Sequence, residues 1–196
     1  MAHCKSRLIL ASASPRRKEL LEKFGAAFEI VPAHGDEEAP EEQEAASFVE
    51  TLARAKANEV AERLHDPDAV IIGADTVVEC DGVILGKPRN GEDAAAMLRR
   101  LSGRAHRVWS GLCVRRGDAV LVSHECTEVH FRTLTGREIE AYVETREPLD
   151  KAGAYGYQGL ASLFVEKIDG DYYNVVGLPL CRLGQMLAQL GVVLLG

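Results

Sequence analysis

The stretch AVIIGADTVVECDGVIL, Ala69 to Leu85, decides what kind of sheet this chain builds. Ala69 to Val78 is a largely apolar run rich in β-branched residues. Asp81-Gly82 is a dipeptide suited to a tight turn, and Val83 to Leu85 is a short return. Together they predict a β-hairpin. On either side, short β-rich runs alternate with longer helical patterns, which is the signature of an α/β fold. A hairpin inside such an alternation makes the sheet mixed rather than wholly parallel.

Working outward towards the N-terminus, Gln43 to Leu64 reads as a long helix and Phe28 to Pro32 as a strand. Arg7 to Ala11 is another strand, leading into a helix that starts at Pro15, buries Leu20, Leu21 and Phe24, and stops at Gly25. Towards the C-terminus, Glu92 to Leu101 is a helix ended by Ser102-Gly103. Val108 to Val114 and Ala119 to Ser123 flank an Arg-Gly-Asp turn, and Thr127 to Phe131 is a further strand. Thr135 and Glu138 have the spacing of a capping box opening a helix to Glu144. Leu163 to Ile168 and the segment after Gly170 are expected to form a late hairpin, with Leu180 to Leu190 as the closing helix.

The chain has 196 residues, which suits one domain spanning 1–196, of one body or two lobes. No uninterrupted apolar run approaches the roughly 20 residues of a membrane span, and Leu8 to Ala11 is too short for the core of a secretory signal, so the expected compartment is the cytoplasm. The five cysteines are scattered without a CxxC pair, which suits reduced thiols. A formal charge of −7 argues against a nucleic-acid-binding surface. Any phosphate bound by this chain therefore needs locally placed cations or a metal ion.

Four places break a local rule. In Ser14-Pro15-Arg16-Arg17, Ser14 is a good N-cap and Pro15 a good first helical residue, which sets two arginines in the first turn, at the positive end of the helix dipole. An anion such as phosphate would offset them, bound by backbone N–H groups, the hydroxyls of Ser12 and Ser14 and the guanidinium forks. The alternative has both arginines in solvent or paired with acids such as Glu19. The second is Asp75, a carboxylate in an apolar strand, which is costly to bury unless paired, hydrogen-bonded or metal-bound. Its alternative is a bulge at Gly73-Ala74 that lets Asp75 reach water; Thr76 faces the other way if the strand is regular. Lys56 shares a helix row with Leu52, Val60 and Leu64, and either snorkels to water or directs its charge into a cleft. Lys87, held extended before Pro88, is similar. The fourth place is KAGAYGYQGLA, Lys151 to Ala161, which matches neither a dinucleotide fingerprint nor a P-loop. Its close-set glycines permit approach to a planar ligand, and Tyr155, Tyr157 and Gln158 offer stacking and edge contacts; a plain Gly-rich turn is the alternative. The acidic run Asp36 to Glu42 reads as a solvated face or as the source of one hard oxygen ligand for magnesium or manganese.

LASASPRRKELL, LARAKA, GADTVV, LGKP, MLRRLSGRAHRVWSG, EPLDKAGAYGYQG and GDYYNVVGLPL, in that order, resemble the Maf family of nucleotide pyrophosphatases over nearly the whole chain. The resemblance implies an elongated, two-lobed mixed α/β fold similar to inosine triphosphate pyrophosphatases, with a central cleft. It implies hydrolysis of nucleoside triphosphates to the monophosphate and pyrophosphate, dependence on Mg2+ or Mn2+, a cytoplasmic house-cleaning role and, commonly, a homodimer. It places the proton acceptor on Asp75, phosphate and metal positions on Ser12, Arg16, Arg17, Glu37, Lys56 and Lys87, and specificity positions on Arg16, Thr76 and Gln158. AGAYG-x-QG is similar to the dTTP and UTP branch. A 7-methyl-GTP pyrophosphatase, or a nucleotide-binding regulator of cell division without turnover, are the other functions this pattern suggests.

Overall fold

In the computed structural model, which describes residues 7–23, 25, 27–35 and 44–194, the chain is a mixed α/β protein with a seven-stranded sheet. The strands are β1 (Leu8–Leu10), β2 (Glu29–Ile30), β3 (Val70–Cys80), β4 (Val83–Leu85), β5 (Ala105–Arg116), β6 (Ala119–Phe131) and β7 (Val165–Asp169). The helices are α1 (Pro15–Glu22), α2 (Ala45–Leu64), α3 (Gly91–Leu101), α4 (Gly136–Glu144), α5 (Tyr172–Val176) and α6 (Leu180–Gln189). The strand order is β2-β1-β3-β5-β6-β7, with β4 paired to β3.

The expected hairpin is present. β3 and β4 pair antiparallel with Cys80 opposite Val83, and Asp81 and Gly82 have φ of 52° and 74°, so both central turn residues occupy the left-handed region that a type I′ turn demands. The capping box is also present, Thr135 and Glu138 bonding reciprocally at the start of α4.

Two expectations are corrected. Ala119 to Phe131 is one continuous strand rather than two. The segment after Gly170 is the short helix α5, so β7 takes β6 as its antiparallel partner instead of a following strand. Tyr and Val favour strand there, but Asp171 Oδ1 accepts from the Tyr173 N–H at 2.7 Å, and Asn174 Nδ2 donates to the Val108 carbonyl and to Thr127 Oγ1, both at 2.9 Å. Those fixed polar contacts override local propensity.

The chain divides into two compact units, both discontinuous in sequence. Unit 1 comprises 1–75, 110–125 and 177–196, and unit 2 comprises 76–109 and 126–176. In unit 1, β1 pairs parallel with β2 on one side and with β3 on the other. The chain leaves β1 for opposite neighbours in turn, so the carboxyl end of β1 is a switch point, the position where open α/β sheets bind ligands. The core there joins Ile9 and Ile71 to the small residues Ala53 and Ala57 of α2. In unit 2 the core gathers Val78, Leu98, Leu101, Phe131, Ile139, Tyr142, Tyr155 and Phe164 around α3 and α4.

Candidate active site

In unit 1, Ser12 lies two residues beyond the last residue of β1 and opens the passage into α1. Ser14 is the N-cap of α1, yet its side chain makes no capping bond, Pro15 is the first helical residue and the first turn contains no acid. Arg17 does not reach into solvent. It is 9% exposed; its Nε donates to the Gly177 carbonyl at 2.9 Å and its Nη1 to Ser12 Oγ at 3.1 Å. Ser12 Oγ also accepts from the Ser14 N–H at 3.3 Å. Arg17 thereby ties the strand end, the helix start and the residues before α6 together, while Arg16 beside it is half-buried.

Asp75 lies on the neighbouring strand, three residues past Ile72, which is paired with Leu10. It does not reach water: Asp75 lies within β3 and is 5% exposed. What compensates its burial is Lys56, whose Nζ donates to Asp75 Oδ1 at 2.6 Å. The sequence alternative in which Lys56 merely snorkels to water is therefore not what is seen. α2 buries a stripe of Ala45, Phe48, Val49, Ala53, Ala57 and Val60, and Lys56 sits at its margin. The helix can bring that lysine to the strand because Gly73 has no Cβ: one there would collide with the Ala53 carbonyl and stand 3.0 Å from the Ala57 nitrogen.

Sequence reasoning missed Glu59, one turn beyond Lys56 on α2. Its carboxylate accepts from the backbone N–H of His34 at 3.0 Å and of Gly35 at 3.1 Å. The His34 N–H foremost holds it below the usual carboxylate range. An acid on a charged helix gives no signal of this in the sequence, because its partners lie 25 and 24 residues away. The acidic run that follows, including Glu37, lies outside the described residues.

In unit 2, Thr76 is half-buried. Lys87 is exposed, just past β4. The preceding Gly86 carbonyl accepts from the Gly153 N–H at 3.0 Å, which fastens the Lys87 turn to the Gly-rich segment. That segment is a succession of short 3-10 turns, and Gln158 is its exposed polar side chain. Ser12, Arg17, Lys56 and Asp75 thus belong to unit 1, and Thr76, Lys87 and Gln158 to unit 2.

Among the described residues, no three His, Cys, Asp or Glu side chains gather as a protein-only metal cage. Asp75 offers a buried hard oxygen donor in a largely apolar strand. Such a donor fits Mg2+ or Mn2+, which take the rest of their shell from phosphate and water. No helix among the described residues is long and apolar enough to cross a membrane.

A family model described as Maf-like protein matches residues 7–190. The dTTP/UTP pyrophosphatase of Alkaliphilus metalliredigens (strain QYMF) is 53% identical over 183 residues, which is 92% of this chain and 94% of that protein. The dTTP/UTP pyrophosphatase of Bacillus pumilus (strain SAFR-032) is 50% identical over 187 residues, 95% of this chain and 98% of that one. Among solved structures, the Ham1 protein of Staphylococcus aureus superposes with a TM-score of 0.54 at 14% identity, covering 93% of this chain and 98% of its own. At that identity the likeness is one of fold.

Proposed function

This chain belongs to the Maf family, and from that premise we propose that it hydrolyses dTTP and UTP to the nucleoside monophosphate and pyrophosphate. The observation that carries the reading is Asp75, buried in the middle of a strand and met by Lys56 at 2.6 Å. A buried ion pair is weak evidence of a stabilising role, since a well-packed apolar pair in its place is often as stable or more so, and this favours a use for the carboxylate. The relatives' names supply the reaction for which such a group is useful.

In the proposed mechanism, Asp75 accepts the proton of a water attacking the anhydride between the α and β phosphorus atoms, and Lys56 holds its carboxylate in place. The first-turn N–H groups of α1, with Ser12, Ser14, Arg16 and Arg17, bind phosphate oxygens, and Lys87 adds positive charge for the leaving pyrophosphate. Gln158 presents both an acceptor and a donor, which is what the edge of uracil or thymine requires. Thr76 is a further contact for the substrate. Asp75 would hold a divalent cation; when bound, that ion supplies charge neutralisation on the phosphates and polarises the bond to be broken.

The test is a panel of nucleoside triphosphates incubated with Mg2+ or Mn2+ and scored separately for pyrophosphate and orthophosphate. UTP and dTTP should release pyrophosphate fastest. Preferential turnover of 7-methyl-GTP would overturn the pyrimidine assignment, and a thermal shift with UTP unaccompanied by any pyrophosphate would make the chain a binder. Asp75→Asn should lower kcat by about 10²- to 10⁴-fold, the range of a general base, with nucleotide affinity nearly unchanged. An unaltered kcat removes Asp75 from the role given to it.

A further inference from the structure

We infer that Glu147, acting with Tyr142, is a positioning residue for base selection: the pair pins both ends of the segment Gly156 to Leu160, which carries Gln158. The inference rests on the pyrimidine-nucleotide reading above and deepens it. Glu147 begins the 3-10 turn Glu147–Asp150 that follows α4. One oxygen of its carboxylate accepts from the Tyr142 hydroxyl at 2.9 Å, and the other from the Leu160 N–H at 3.2 Å. The Tyr142 oxygen in turn accepts from the Gly156 N–H at 3.1 Å. Between those two anchored amides the Gly159 N–H donates to the Gly156 carbonyl at 3.0 Å, closing a turn on which Gln158 is exposed.

The clamp is itself held. Tyr142 is 3% exposed and packs edge-on against Phe164, with ring centroids 5.1 Å apart. Burial pushes its phenol up, so it keeps the hydrogen that it gives to Glu147. Lys151 Nζ donates to the Glu147 carbonyl at 2.7 Å and to Asp150 Oδ1 at 2.6 Å, which fixes the start of the turn. Gly159 lies against the Glu147 carboxylate with no room for a side chain.

An exposed carboxamide discriminates between bases only if its backbone stays where it is. On a loose loop Gln158 would give way before a larger ring and find some donor or acceptor on nearly any edge. On a turn fastened at both ends it cannot retreat, so a base that does not fit forfeits the hydrogen bonds. None of the Glu147 contacts reaches Gln158's own side chain; the effect passes through the backbone.

Tyr142→Phe removes the hydroxyl while keeping the ring on Phe164, and Glu147→Gln keeps the shape but leaves one acceptor oxygen where two are used. Pyrophosphate release from UTP and from ATP would be measured for wild type, each variant, Gln158→Ala, and each variant combined with Gln158→Ala. Loss of one such hydrogen bond should lower the kcat/KM preference for UTP by about tenfold, through KM more than kcat, and should lower it no further once Gln158 is Ala. An unchanged preference, or an equal loss in the Gln158→Ala background, would overturn the inference. Should wild type release no pyrophosphate, the enzymatic reading fails, and the same comparison is made on equilibrium binding of UTP and ATP. A binding preference abolished by Tyr142→Phe then still supports the clamp, whereas no preference in wild type overturns it.

Discussion

Lys56 and Asp75 expose 11% and 7% of their side chains, so neither can turn to water if the other is removed. Lys56→Met would strand a carboxylate in apolar surroundings, and loss of one partner from a buried pair costs about 3–5 kcal/mol. Adding Asp75→Asn should return most of that, because the uncompensated charge is the larger part of the cost. Urea unfolding of the two single variants and the double one measures this; a cheap Lys56→Met, with additive effects, would mean that the pair contributes little. A second residue-scale prediction concerns His106, 2% exposed, whose Nε2 lies 2.8 Å from the Tyr155 hydroxyl while its Nδ1 has no hydrogen-bond partner among the described residues. Burial, and secondarily the charge of His130, lowers its pKa from 6.5 to about 4. The unfolded chain then binds this proton more readily than the folded one. Its effect on stability is absent above the unfolded value, grows as pH falls towards the folded value, and levels off below it at about 3 kcal/mol. His106→Gln keeps a polar partner for Tyr155 without titrating, so the stability gap between wild type and variant should shift in the variant's favour between pH 7.5 and pH 4.5. A gap independent of pH would refute this.

Among the elements, the approach of α2 to the strands sets the Lys56–Asp75 pair, and two glycines make it possible. A Cβ on Gly73 would strike the Ala53 carbonyl, and one on Gly111 the Val49 carbonyl, both on α2. Gly73→Ala must therefore push the helix off β3, at about 1–3 kcal/mol for overpacking, and carry Lys56 away from Asp75. A fall in melting temperature together with a loss of kcat larger than that of Gly111→Ala, which sits farther from Lys56 along the helix, is the expected outcome; equal effects on kcat would separate the glycine from the ion pair. The sequence made much of this legible where a residue contradicted its local surroundings. A carboxylate in a β-branched run, arginines after a Ser-Pro helix start and a lysine beside an apolar stripe each left a solvent-facing alternative open, and Asp75, Arg17 and Lys56 have buried partners instead, Arg17 using Ser12 and Gly177. Asp81-Gly82 and Thr135 to Glu138 were legible because turn and cap chemistry is local. α5 was not, because Thr127 and Val108 hold it from 47 and 66 residues away. Nor was the Glu147 clamp, since an acid after a helix looks like any surface acid until Leu160 is folded back upon it. Gln158 stood out in the Gly-rich segment as a group able to bond a base edge, and the family resemblance made it a specificity position.

At the scale of the whole molecule the charge is the wrong sign for the substrate. The chain carries −7 and the proposed ligand brings about four more negative charges when fully ionised, so association depends on cations gathered at the site. Lys56 cannot be counted in full among them, because its charge is already opposed by Asp75 at 2.6 Å. A divalent ion arriving with the nucleotide would make up the deficit without further protein side chains. Chelation by EDTA should therefore do more than stop turnover: it should weaken nucleotide binding as well, and Mg2+ or Mn2+ should restore both. The measurement is calorimetric titration with UTP, with and without EDTA, beside pyrophosphate release under the same conditions. Full activity in EDTA would mean that the protein's own cations suffice and that the metal has no part. Loss of turnover with undiminished affinity would confine the ion to the chemical step, and the electrostatic argument from net charge would fall.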